Sequence, residues 1–113
     1  SLIELNAAIA DAASRARSGK IKQEEIEGGS FAVTNLGMYG TREFSAIINP
    51  PQSGILAVGA ATAAPVVENG EVVAGMVMTV TLSADHRAVD GALAAQWLAA
   101  FQGHIENPLG MLI

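Results

Sequence analysis

The first part of the chain repeats hydrophobic residues at steps of three and four. Between Leu2 and Ser18 these residues form one face and the charged residues lie elsewhere, which is the pattern of an amphipathic helix. Basic residues crowd the last turn and Gly19 follows, and both features are typical of a helix C-terminus. The sequence therefore predicts a helix over Leu2–Ser18. The hydrophobic positions of its face are Leu2, Leu5, Ile9, Ala12 and Ala16.

The middle of the chain alternates hydrophobic with small or polar residues, which predicts strands. One strand is expected over Phe31–Asn35 and a buried one over Ile55–Ala60. Asn49–Gln52 contains two consecutive prolines, which remove two hydrogen-bond donors from a sheet, so it predicts a rigid turn that could also shape a pocket. Asn-Gly at the centre of Glu68–Glu71 predicts a hairpin turn, and one long strand is expected over Val72–Leu82.

Near the C-terminus the hydrophobic spacing returns to about 3.6 residues. The sequence predicts a helix that Asp90 caps and Pro108 ends. Its hydrophobic stripe consists of Leu93, Ala94, Trp97, Leu98, Phe101 and Ile105. The order of helix, strands and helix predicts an α/β (α+β) two-layer sandwich, with one sheet and helices on a face.

Composition narrows the class of protein. The chain has 113 residues, of which 50% are hydrophobic and 15% charged; this supports one domain and excludes a disordered acidic tail. Cysteine is absent, which excludes a disulfide scaffold, a zinc–thiolate site and a cysteine nucleophile. No hydrophobic run reaches the roughly 18 residues of a membrane span, and the first residues lack a secretory signal. Because the chain does not begin with Met, we expect a processed product or a fragment.

Charge is sparse in the second half of the chain. From Phe44 to Ile113 only Arg87 is basic, and five residues are acidic. A solvated domain carries more charge than this, so we expect large hydrophobic surfaces buried against other subunits, and the hydrophobic end Pro108–Ile113 favours the same interpretation. The alternative is a compact core with small polar surfaces. The basic cluster within Arg15–Lys22 is better explained as a helix end than as a nucleic-acid surface.

Candidate chemistry is concentrated in the segment that joins the long strand to the last helix. His86 lies there with three of the few charged residues, Asp85, Arg87 and Asp90. A carboxylate and a guanidinium beside an imidazole can fix its tautomer, so His86 is either structural or a general base. No serine or cysteine adjoins it, so as a base it would deprotonate the substrate's own nucleophile. No further ligands stand at metal-binding spacing.

Three ordered segments carry a family resemblance. Phe31–Gly40, Phe44–Gln52 and Asp85–Ala92 resemble the catalytic domain of the dihydrolipoyl acyltransferases of 2-oxo acid dehydrogenase complexes. Within that family they look most like the acetyltransferases of pyruvate dehydrogenase complexes. The resemblance covers essentially all 113 residues but only about the C-terminal half of the family's catalytic domain. On this basis residues 1–113 are a C-terminal portion of that domain, without the lipoyl and peripheral-subunit-binding domains.

The resemblance implies a chloramphenicol-acetyltransferase-like fold in homotrimers that assemble into a cubic or icosahedral core. It also implies transfer of an acetyl group from an S-acetyldihydrolipoyl arm to coenzyme A. Coenzyme A is then a substrate, the lipoyl group is carried on a separate domain and no metal takes part. The expected partners are the lipoyl domain and the 2-oxo acid dehydrogenase and dihydrolipoamide dehydrogenase components. The expected location is a bacterial cytoplasm or a mitochondrial matrix, with neither nucleic acid nor membrane as a partner.

The resemblance also implies residue roles. His86 matches the general base that deprotonates the coenzyme A thiol, and Thr34 matches a hydroxyl that donates to the tetrahedral oxyanion. The two are expected to come from different chains, because the family's sites span an interface. Asp90 either orients the loop or caps the helix, and Phe44 and Leu56 either line the access path of the lipoyl dithiolane or serve as core. Two alternatives remain for the whole chain, a non-catalytic structural core subunit and an inactive fragment of the enzyme.

Overall fold

The computed structural model describes residues 1–112 as a mixed arrangement of helices and strands. The helices are α1 (Leu2–Arg17), α2 (Gln23–Ile26) and α3 (Gly91–Glu106), and the strands are β1 (Phe31–Asn35), β2 (Gly54–Val58), β3 (Thr62–Glu68), β4 (Glu71–Val77) and β5 (Val80–Ala84). Short 3₁₀ turns cover Gly37–Tyr39 and Pro108–Leu112. Ile113, the last residue of the expected hydrophobic end, lies outside the described residues. No helix within 1–112 is both long and hydrophobic enough to cross a membrane.

Helix α1 confirms the amphipathic helix expected at the start of the chain. It begins at a capping box, in which the Ser1 hydroxyl accepts the backbone N–H of Glu4 and the Glu4 carboxylate returns to the Ser1 amino group. This arrangement satisfies N–H groups that have no partner within the helix. Leu2, Leu5 and Ile9 are exposed, so nothing within residues 1–112 covers the hydrophobic face of α1.

Arg15 joins α1 to α2. Its guanidinium lies 3.0 Å from the Asp11 carboxylate and 2.7 Å from both carboxylate oxygens of Glu25. Glu25 also accepts the backbone N–H of Lys22 at 2.8 Å. The hydrogen bond from Arg15, followed by that from Lys22, lowers the pKa of Glu25. One member of the basic cluster is therefore engaged in ion pairs within the chain, which supports the helix-end interpretation.

The central sheet has the strand order β1–β2–β5, with β1 parallel and β5 antiparallel to β2. Leu56 and Ala57 of β2 are 2% and 1% exposed and form the core of the described chain. Helix α3 packs on one face of this sheet through aromatic side chains. The ring centroid of Trp97 lies 5.4 Å from that of Phe31 and 5.5 Å from that of Phe101.

The single strand expected over Val72–Leu82 is wrong. The chain forms β4, which pairs with β3, and β5, which pairs with β2. Thr62 lies opposite Val77 and Val58 opposite Val80, so three residues on one side face two on the other. Such an unequal break, with one extra residue on one side, bends an antiparallel ribbon as a β-bulge does. A period of two cannot reveal this bend, because both halves of the segment remain extended.

The bend also overturns the expectation of one sheet, since the strands divide into a three-stranded and a two-stranded sheet. Gly59 at the bend accommodates a close contact with another segment. A Cβ atom on Gly59 would lie 1.9 Å from the carbonyl oxygen of Arg42, and the N–H of Ala60 donates to the Thr41 carbonyl at 2.7 Å. The glycine therefore lets the segment that begins at Thr41 run directly past the bend.

The hairpin turn between β3 and β4 confirms the expectation from Asn-Gly. Asn69 and Gly70 have φ angles of 51° and 82°, and positive φ at both central residues is the signature of the turn type that suits a two-residue hairpin. The register places Glu68 directly opposite Glu71. We refer to β2 with β5 as the inner half of the bent ribbon and to β3 with β4 as the outer half.

Candidate active site

The turn that carries His86 starts from the edge of the central sheet. The N–H of Asp85 donates to the Ser53 carbonyl at 2.8 Å, which extends the pairing of β2 with β5 by one residue. The Asp85 carbonyl then accepts the N–H groups of Ala88 at 3.0 Å and Val89 at 2.8 Å. His86 stands inside this turn and is exposed. Hydrogen bonds therefore fix the turn to the sheet, and the imidazole on this turn is accessible.

Asp85 and Arg87 form an ion pair across the same turn. Arg87 donates its backbone N–H to Asp85 Oδ1 at 3.0 Å, and its guanidinium contacts both carboxylate oxygens at 2.8–3.2 Å. The side-chain hydrogen bonds from Arg87, followed by its backbone N–H, lower the pKa of Asp85. The Asp85 side chain is 23% exposed and that of Arg87 is 87% exposed. The aspartate is thus the fixed member of the pair.

A cavity of about 330 Å³ lies beside His86. The proline turn forms its other wall, as the pocket-shaping alternative expected. The side-chain oxygen Oε1 of Gln52 is buried there and has no hydrogen-bond partner among the residues described. The residues around the cavity are Ile48, Pro50, Pro51, Gln52, Ala84, Asp85, His86 and Arg87. An imidazole, one ion pair and a largely hydrophobic wall therefore meet at one opening.

Asp90 begins α3, as expected. Its carboxylate oxygen Oδ1 accepts the N–H of Leu93 at 2.8 Å, and its carbonyl accepts the N–H of Ala94 at 3.0 Å. The sequence left open whether Asp90 caps the helix or orients the loop. The structure shows the cap, which also fixes the point at which the His86 turn enters α3.

Thr34 and His86 lie at opposite ends of the central sheet. Thr34 is half-buried in β1, in the same row of paired residues as Thr81, whereas β5 leaves the sheet at Ala84, in the row of Phe31. Three rows and two strand spacings separate the Cα atoms of Thr34 and Ala84 by about 14 Å. His86 follows two residues later, so the structure does not bring the two side chains together within one chain.

The structure separates the two residues expected on the lipoyl access path. Phe44 is half-buried in the segment that passes the bend. Leu56 is 2% exposed, so the expectation that it lines an access path is corrected to the core alternative. Hydrophobic residues in β2 serve packing first, because this strand has a neighbour on each side.

Sequence reasoning missed the part that β2 plays in the site. Ser53, next to β2, anchors both Ser30 and Asp85 through backbone hydrogen bonds, and no local pattern marks it. A second, larger cavity of about 730 Å³ lies between the ribbon bend and α3 and contains none of the expected site residues. Within residues 1–112, no three His, Asp or Glu side chains lie close enough to hold a metal ion.

Comparison with known proteins places this geometry in a family. The sequence model of the 2-oxoacid dehydrogenases acyltransferase catalytic domain matches residues 1–113. The acetyltransferase component of the Rhizobium meliloti pyruvate dehydrogenase complex is 53% identical over the whole chain. The Azotobacter vinelandii dihydrolipoamide acetyltransferase, studied for the role of a serine, a histidine and an asparagine in its catalytic mechanism, has a TM-score of 0.93 at 32% identity. The cubic core of a pyruvate dehydrogenase multienzyme complex has a TM-score of 0.93 at 31% identity.

Both solved structures cover 100% of this chain. The chain in turn spans 25% of the length of the Rhizobium relative and 46% of each solved chain. The family resemblance found in the three segments is therefore confirmed, including the likeness to pyruvate dehydrogenase acetyltransferases. This chain belongs to the acyltransferase family of the 2-oxoacid dehydrogenases and represents part of its catalytic domain.

Proposed function

We propose that this chain contributes to an active site that transfers an acetyl group from an S-acetyldihydrolipoyl arm to coenzyme A. The observation that carries the proposal is the exposed His86 on a turn fixed to the sheet, beside a cavity of about 330 Å³. Family membership supplies the reaction class. A neutral imidazole held at an opening can take a proton from a substrate that reaches it.

In the proposed reaction, His86 removes the proton of the coenzyme A thiol, and the resulting thiolate attacks the acetyl carbonyl carbon. Imidazole and thiol groups in general have pKa values within a few units of each other, so an imidazole is a suitable base for a thiol. The hydroxyl of Thr34 from a second chain donates a hydrogen bond to the tetrahedral oxyanion. This bond lowers the barrier by about 3 kcal/mol. Collapse breaks the bond from carbon to the lipoyl sulfur, which takes the proton back from His86.

Residue spacing supports these roles. In the Azotobacter enzyme the serine lies 52 residues before the histidine and the asparagine four residues after it. In this chain Thr34 lies 52 residues before His86, and Asp90 lies four residues after it. Threonine keeps the hydroxyl of serine, and aspartate keeps an oxygen that can cap a helix.

We further assign Phe44 to the access path of the lipoyl dithiolane, where a half-buried ring would contact its carbons.

We infer that the working form is a chloramphenicol-acetyltransferase-like homotrimer within a larger cubic or icosahedral core. The separation of Thr34 from His86 supports a shared site, and the exposed hydrophobic faces of α1 and the outer ribbon supply surfaces for contact. The proposal places residues 1–113 in the C-terminal portion of the catalytic domain. Coenzyme A and the lipoyl arm of a separate domain are its substrates, without a metal. The dehydrogenase components of the complex are its partners, in a bacterial cytoplasm or a mitochondrial matrix.

The test is substitution of His86 in the polypeptide at its natural length. His86→Ala should lower kcat for acetyl-dihydrolipoamide and coenzyme A by about 10²–10⁴-fold, because the thiol loses its base. His104→Ala is the matched control, since His104 is exposed on α3 away from the cavity, and its kcat should stay at the wild-type value. A large wild-type assembly without activity would favour the structural subunit instead. Equal rates for His86→Ala and wild type would remove the mechanism.

A further inference from the structure

One residue holds the turn that presents His86. The N–H groups of Arg87, Ala88 and Val89, the three residues that follow the histidine, all donate to oxygens of Asp85. We propose that Asp85 is a positioning residue, which sets the place and direction of the His86 imidazole at the cavity. The inference rests on the proposed function and adds to it a residue that acts through His86 and not on the reacting atoms.

The backbone of Asp85 is fixed before the turn begins. Its N–H donates to the Ser53 carbonyl at 2.8 Å, and Ser53 donates both its N–H, at 2.8 Å, and its hydroxyl, at 3.1 Å, to the Ser30 carbonyl. These bonds run across three strands of the sheet. The reference point of the turn is therefore the sheet itself, and His86 is the only residue between this anchor and the N–H groups that return to it.

The carboxylate and the carbonyl of Asp85 accept hydrogen bonds from different residues of the turn. The carbonyl closes the turn by accepting from Ala88 and Val89, while the carboxylate accepts the backbone N–H of Arg87 and holds its guanidinium. An ion pair with such an exposed arginine adds little to stability. Its effect is geometric, because it restricts the backbone on the C-terminal side of His86.

This geometry separates orientation from binding. Asp85 and Arg87 are the only charged residues around the cavity within the described chain, and the carboxylate is engaged by Arg87. Loss of the Asp85 side chain should therefore misplace the imidazole without removing a substrate contact. Misplacement of a reacting group by about 1 Å can cost about 100-fold in rate, whereas the affinity for substrate changes little.

The experiment compares Asp85→Ala and Asp85→Asn in the polypeptide at its natural length. Asp85→Ala should lower kcat by about 10–100-fold while KM for both substrates stays within about threefold. Asp85→Asn should recover most of that loss, because its amide oxygen can still accept the Arg87 N–H. Asp11→Ala is the control, since it removes an aspartate–arginine pair of 3.0 Å in α1, and it should keep the wild-type kcat.

Two results would overturn the inference: wild-type kcat in Asp85→Ala, or no recovery in Asp85→Asn. A structure of the Asp85→Ala protein gives a readout that does not depend on activity. We expect the His86 ring displaced by about 1 Å or more, or spread over several rotamers, and an unmoved ring refutes the positioning role. An inactive wild type, or a fully active His86→Ala variant, would instead refute the proposed function, and the ring position would still decide the role of Asp85.

Discussion

The two halves of the bent ribbon are paired in the same antiparallel way but packed differently. The inner half contains Leu56 and Ala57, the two buried hydrophobic residues of the described chain, and lies under α3. In the outer half Val67 and Val72 are 71% and 73% exposed. Backbone pairing alone therefore does not make a core; a third strand and a helix do. The turn that carries His86 follows β5 of the inner half, where β2 is paired with a strand on each side.

The largest expected effect tests the packing difference directly. Leu56→Ala should lower the free energy of unfolding by about 2–5 kcal/mol, because it leaves a cavity in the core. Val67→Ala in the outer half should change it by about 0.5 kcal/mol or less if that face meets only water. Denaturant unfolding of both variants measures the difference. Equal losses in the free energy of unfolding would mean that another surface buries the outer half. The packing difference between the two halves would then be absent from the assembled protein.

The second prediction concerns the bend between the halves. Gly59→Ala should destabilise the protein by about 1–3 kcal/mol, because the new Cβ atom meets the backbone carbonyl of Arg42 and the backbone must shift. Gly70→Ala is the comparison at the far end of the ribbon. A side chain there is strained by the positive φ, but no atom lies within 4 Å of the added Cβ, so this variant tests strain without a close contact. If melting temperatures show Gly59→Ala to be harmless, the bend does not depend on this close approach.

The third prediction uses pH to probe the inner half. Because Arg87 holds the pKa of Asp85 below its usual range, unfolding raises that pKa and the unfolded chain takes up a proton more readily. The pair therefore stabilises the fold above the unfolded value of about 3.9, and this stability is lost as pH falls through the lower folded pKa. Wild type should melt slightly above Asp85→Asn at about pH 6, and the difference should shrink as pH falls below the unfolded pKa and through the lower folded pKa. A difference independent of pH would contradict the ion pair.

The smallest expected effect lies at the tip of the outer half. Glu68 and Glu71 are directly opposite each other, and like charges in this position destabilise a hairpin. Glu71→Lys replaces repulsion with attraction and should raise the free energy of unfolding by about 0.2–1 kcal/mol at low salt. The gain should shrink in high salt, since screening weakens exposed pairs. A salt-independent change would assign the effect to something other than charge.

The parts of the fold that the sequence predicted are those set by local chemistry. The capping of α3 by Asp90 and the Asn69–Gly70 turn depend on residues within a few positions of one another. The division of the predicted strand Val72–Leu82 depends instead on which strands its two parts meet. The extra residue lies on the opposite strand, between Val58 and Thr62, so no pattern inside the predicted strand could announce it.

The site shows the same division. His86 stands out in the sequence because charge is rare in the second half of the chain, and the structure gives it an exposed turn beside a cavity. The distance between Thr34 and His86 could not be derived from spacing, since it depends on β5 running antiparallel to β1. Leu56 was ambiguous for a related reason. The sequence pattern of a hydrophobic residue in a strand is the same whether the side chain faces a channel or a helix.

The opposite positions of Thr34 and His86 on the sheet have a genetic consequence. If each site combines residues of two neighbouring copies, an allele damaged at Thr34 and an allele damaged at His86 can rescue each other when co-expressed. Some neighbours then join an intact threonine from one allele to an intact histidine from the other. Two alleles damaged at the same end cannot do this. Intragenic complementation would thus follow the order of the strands, and a cross between mutants could map a subunit boundary without coordinates.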